Sequence, residues 1–82
     1  MSESQFLAAL VDRKPMHDQV KNVFPSEDSF LWFIRQNRKE LAEFNAIFII
    51  GHKMKCHPEN FKKAVLEIGA RRFNTADEAG NE

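Results

Sequence analysis

Three potential metal donors, His52, Cys56 and His57, fall within six residues of one another. Zinc sites take four ligands in paired spacings. If this run is a strand, Cys56 and His57 point to opposite sides, so no metal centre is expected. Cys56 is the only cysteine, which excludes an intrachain disulfide and suits a reducing compartment. Covalent and acid–base chemistry finds little support. The chain has no phosphate-cradling glycine loop, no nucleophile elbow and no paired carboxylates placed for a cleft. Neither an enzymatic activity nor a cofactor is expected.

The basic residues are the other candidates. All 12 Lys and Arg lie between Arg13 and Arg72, while three of the 12 acids, Asp77, Glu78 and Glu82, sit at the end of the chain. Residues 1–72 therefore carry twelve bases against nine acids, a net +3, and the end carries −3. That charge permits nucleic-acid binding without demanding it. In "GHKMKCHPENF" Lys53 and Lys55 alternate with Met54 and Cys56. One side of a strand would then be basic and the other apolar.

These residues need elements to hold them, and the chain offers one small domain of 82 residues. A chain of this size buries only about 60–65% of its unfolded surface, so it gains from a partner. Phe6, Leu7, Leu10 and Val11 predict a helix over residues 3–13, with Ser2 or Ser4 as cap. Pro15 interrupts it and starts a second short helix through Met16, Val20 and Val23. Ser26 caps a third helix over residues 26–37, where Glu27 and Asp28 suit the positive end of the helix dipole. Phe30, Phe33 and Ile34 form its apolar stripe, and Trp32 points away from the stripe's centre. A further turn or two covers residues 38–44, and Asn45 tolerates the left-handed conformation that a chain reversal needs. Residues 46–50 and 53–57 read as a hairpin turning at Gly51. A two-residue loop puts Ile47 and Ile49 on the core side; a three-residue loop puts Phe48 and Ile50 there. Pro58 opens a last helix with Phe61, Val65 and Ile68 on one face. Residues 74–82 are polar and read as a disordered acidic tail. The expected division is an accessory helix at 1–14, a domain at 15–73 and that tail.

The expected fold is therefore mainly α with a small two-stranded β-hairpin, in the order of a winged helix-turn-helix. Two stretches resemble the small excisionase and MerR-like DNA-binding proteins of phages and mobile elements. "FPSEDSFLWFIRQNRKELAEFNA" is similar to that family's second helix, and "FIIGHKMKCHPENF" to its wing. Together they cover about half of the chain. The resemblance implies double-stranded DNA as partner. Residues 26–37 would enter the major groove, and His52, Lys53 and Lys55 would lie against the backbone or a minor groove. Ser26, Ser29, Arg35, Gln36, Arg38 and Lys39 are the remaining candidates on that side. Leu31 and His52 stand where the family often has arginine, and Glu27 and Asp28 bring negative charge to the start of the reading helix.

Each assignment has a plainer alternative. Lys53 and Lys55 meet phosphate or protect an edge strand; Arg35, Arg38 and Lys39 track DNA or form a solvated helix face. Trp32 packs in the core or between subunits, anchors a partner, or sits near the nucleic acid. The first helix completes the core or makes a homodimer contact. Two functions follow. One is an excisionase-like architectural factor or transcriptional regulator, acting with a recombinase or polymerase. The other is a protein–protein interaction module, an adaptor or inhibitor, on the same scaffold. The amino-terminal apolar run is too short for a signal peptide, and nothing approaches the roughly 20 apolar residues of a membrane span. A cytoplasmic protein is expected.

Overall fold

A computed structural model describes residues 2–80 of the chain, and side chains for residues 2–74. The elements are α1 (Glu3–Ala9), β1 (Val11–Asp12), α2 (Arg13–Gln19), α3 (Glu27–Gln36), α4 (Arg38–Glu43), β2 (Ile47–Ile50), β3 (Lys53–Cys56) and α5 (Pro58–Gly80). The fold is mainly helical, with one three-stranded antiparallel sheet in the order β1-β3-β2.

The first strand is absent from the sequence reading, which carries the opening helix to residue 13. Ser2 and Gln5 start that helix with a reciprocal capping box, but it stops at Ala9. Leu10 turns extended, and Val11 and Asp12 pair with Cys56 and Lys55. Val11 gains packing against the core and Asp12 gains a lysine partner, and both need an extended backbone. Helix α2 then begins at Arg13, so Pro15 lies in its first turn, where no amide donor is required. The boundary expected between residues 14 and 15 falls inside α2, and the preceding segment supplies a strand of the sheet.

Helix α2 ends at Gln19, short of Val23, which is half exposed. Phe24 takes the buried place instead. His17 Nε2 donates to the Phe24 carbonyl at 2.7 Å, fixing the connection into α3. The core is then an aromatic cluster with aliphatic walls: Phe24, Phe30 and Phe61 are buried with Met16, Val20, Ile34, Leu41 and Ile68. The stripes expected on α3 and α5 are those that face it. Trp32 is 52% exposed and lies outside this core, so the core option for that residue is removed.

The hairpin turns through two residues, Gly51 and His52, both with positive φ (59° and 72°). Mirror-image turns of this kind match the strand twist. Glycine adopts that geometry freely, and histidine enters it more readily than a β-branched residue would. Pairing Ile50 with Lys53 and Ile49 with Met54 resolves the open register in favour of the two-residue loop. Ile47 and Ile49 share the face of Met54 and Cys56. The core reaches Ile47, whereas Ile49 lies beyond it and is 71% exposed. On the opposite face Phe6 of α1 meets Phe48 edge-on at 5.6 Å and stacks on His57 at 4.4 Å.

Asn45 has φ of 57°, the left-handed reversal expected there. Its carbonyl accepts from Asn60 Nδ2, tying the end of α4 to the start of α5. His57 Nδ1 accepts from the Asn60 amide, so histidine fills the N-cap role before Pro58. Helix α5 runs through Gly69 without a break. Its backbone continues to Gly80, because no proline follows Pro58 and the intervening residues are mostly tolerant of helix. The segment 74–82, expected to be a disordered acidic tail, is helical in backbone as far as Gly80; residues 81 and 82 lie outside the described residues. Among the described residues, no helix is long and apolar enough to cross a membrane.

Candidate nucleic-acid interface

The expected site residues do not all have the same freedom. Ser26 and Ser29 start α3: Ser26 Oγ accepts the Ser29 amide at 3.1 Å, and Ser29 Oγ donates to the Ser26 carbonyl at 2.8 Å. Both serines are committed to the cap. Arg35 and Gln36 are exposed in the last turn of α3, and Arg38 and Lys39 are exposed at the start of α4.

Between those two pairs sits Asn37, a buried polar residue with its hydrogen-bonding groups filled. Its Nδ2 donates to the Phe33 carbonyl at 2.9 Å, and its Oδ1 accepts from the Arg72 guanidinium at 2.8 Å. Asn37 thereby ends one helix, begins the next and fastens the junction to α5. Arg35 and Arg38 consequently project from a pinned corner.

The hairpin lysines differ from each other. Lys55 is ion-paired with Asp12 across the β1–β3 pair and is partly buried. The hydrogen bond from Lys55, then its charge, holds the Asp12 carboxyl below the usual carboxylate range. Lys53 is exposed and makes no ion pair among the described residues. His52 is exposed at the turn.

Three shallow grooves share walls across this side of the molecule. Asp12, already paired with Lys55, lines the first with Arg13, Lys14, Lys53 and Met54. Met54 also lines the second, with Leu31, Arg35, Arg38 and Ile49. Arg38 and Ile49 continue into the third, which Lys39 closes. The result is a cationic band with an apolar floor. Arg13 and Lys14 were missed by the sequence reading, because only the pairing of β1 with β3 brings the start of α2 beside the hairpin. Arg13 also meets Glu27 at 3.1 Å. That pair is too exposed to stabilise much, but it offsets one of the two acids at the start of α3.

The cluster of His52, Cys56 and His57 is dispersed. Cys56 is buried in the core, His57 stacks on Phe6 across the sheet and His52 is in the turn. Among the described residues no three His, Cys, Asp or Glu side chains are grouped to hold a metal ion. Burial, with a smaller contribution from the Asp12 charge, pushes the Cys56 thiol up from 9.0 to about 11. The folded thiol keeps its proton while the unfolded one ionises above pH 9. Stability contributed by the neutral thiol is therefore full below that pH and declines as pH rises from about 9 to about 11. At pH 8 the thiolate fraction is about 10²-fold lower in the folded chain than in the unfolded one. Iodoacetamide should label native protein slower by at least that factor than protein in urea; equal rates would contradict the burial of Cys56.

No protein-family model matches this chain, and neither a curated protein nor a solved structure matches it.

Proposed function

We propose that the protein is a small DNA-binding protein of the winged helix-turn-helix class, serving as an excisionase-like architectural factor or a transcriptional regulator. The cationic band, whose one lining carboxylate, Asp12, is paired with Lys55, carries this reading. Among the described residues Lys14, Arg35, Arg38, Lys39 and Lys53 make no ion pair, so their charge is available to phosphate. The element order supports it: residues 20–26 join α2 to α3, and the hairpin of β2 and β3 follows α4, with Ile49 and Met54 lining one groove together with Leu31 and Arg35 of α3. In this reading Arg35 and Gln36 face base edges, and the hairpin and the start of α2 grip the backbone.

The test is fluorescence anisotropy on a pool of labelled duplexes at varied salt. If four of the five free cations meet phosphates, log affinity falls against log salt with a slope of about −3.6. A complete lack of binding to any duplex at low salt would rule the reading out.

One observation favours the second reading, a protein-interaction module. The floor of the band includes Ile49, Met54 and Leu31, and Ile49 is strongly exposed. A partner held by that floor would respond to Ile49→Asp and little to salt, whereas a phosphate backbone would do the reverse.

A further inference from the structure

Helix α5 presents two opposed faces. Phe61, Ala64 and Ile68 point into the core. Further along that side, the Arg71 guanidinium lies 6.0 Å from the Phe44 ring and Arg72 donates to Asn37. Leu66 and Phe73 stand on the other side, seven residues apart, and are 74% and 72% exposed. Ala70 falls between them on the same face, because residues three, four and seven apart share one side of a helix. Gly69 lies at the margin of this stripe. A side chain there would meet nothing within 4 Å, so packing within the chain does not explain a glycine that weakens the helix interior.

The charges of α5 select a partner. Positions 62 and 63 are lysines before the stripe, and positions 77 and 78 are acids after it. Two such helices laid antiparallel and crossing at 69–70 set lysines opposite acids at both ends. The same crossing sets each Leu66 opposite Phe73 of the other copy. A parallel arrangement would oppose like charges. The small residues at 69 and 70 allow the backbones to approach closely at the crossing.

We propose that a second copy of this chain docks on α5, antiparallel and two-fold symmetric about Gly69–Ala70. The surface is isologous, since each copy offers the same stripe and the same charges. One helix pair covers less than the roughly 1,600 Å² of a standard interface, so the dimer forms in a concentration-dependent manner. This inference goes beyond the DNA reading and does not rest on it; association is measured without DNA, so either can fail alone.

Sedimentation equilibrium of the full chain, from about 5 µM to about 1 mM, tests it. The expected mass rises from 9.5 kDa towards twice that value. Leu66→Glu combined with Phe73→Glu should hold the mass at the monomer value throughout, with an unchanged circular dichroism spectrum because both residues face outward. Two further variants test the charges. Lys62→Glu with Lys63→Glu, and separately Asp77→Lys with Glu78→Lys, should each weaken self-association by about tenfold or more. Mixing these two variants should restore association. A wild-type mass that stays at 9.5 kDa, association by the Leu66/Phe73 variant equal to wild type, or charge variants that behave as wild type would each overturn the proposal.

Discussion

Phe30→Ala is expected to destabilise the fold by about 3–5 kcal/mol, enough to leave much of the protein unfolded at room temperature. The ring is fully buried. It stacks on His17 at 4.8 Å, and its centroid lies 5.7 Å from Phe61 and 6.0 Å from Phe24. Removing it therefore opens a cavity where α2, its connection to α3, and α5 all meet, and none of these walls can collapse without moving an element. A single core of this size supplies only about 3–5 kcal/mol of net stability, so the loss is comparable to the whole. Trp32→Ala is the matched contrast. That ring is 52% exposed and should cost about 1 kcal/mol or less. Urea denaturation followed by circular dichroism compares the two, since a half-exposed tryptophan is a poor probe of unfolding. A larger cost at Trp32 than at Phe30 would mean that α3 packs on a different face.

That contrast also marks how far the sequence could be read. The stripe on α3, the cap at Ser26, the reversal at Asn45 and the proline start of α5 are local features. Spacing and intrinsic preference specify them within a few residues of chain. Strand β1 has no such local signal. Two residues cannot show a period, and Val11 and Asp12 are extended because Cys56 and Lys55 lie far along the chain waiting to pair with them. Everything that depends on this pairing was equally hidden: the end of α1 at Ala9, the tie between Asp12 and Lys55, and the arrival of Arg13 and Lys14 beside Lys53. Alternation along "HKMKC" gave Lys53 and Lys55 the same status. A partner from outside the hairpin makes them different.

This difference yields the sharpest functional expectation. Lys53→Glu combined with Arg38→Glu should weaken duplex binding by about 10²-fold or more at low salt, because it removes two phosphate contacts and adds two repulsive charges. The two residues come from the hairpin and from the start of α4, so their joint effect reports the band and not one element. Lys53→Ala should lower the salt slope by about one without changing stability. Lys55→Ala should behave differently: its charge is already engaged by Asp12, so affinity should change less than for Lys53→Ala while the β1–β3 edge loosens. Lys21→Glu, which lies outside the three grooves, controls for net charge alone. The cationic band predicts the order Lys53/Arg38 reversal, then Lys53→Ala, then Lys55→Ala, with Lys21→Glu near wild type, all read from anisotropy titrations against one duplex pool. If Lys21→Glu weakened binding as much as Lys53→Ala or more, overall charge and not this surface would govern the interaction. If Lys55→Ala were the most damaging of the single changes, the ion pair to Asp12 would have to open on DNA, and the contact would centre on the sheet face instead of the band.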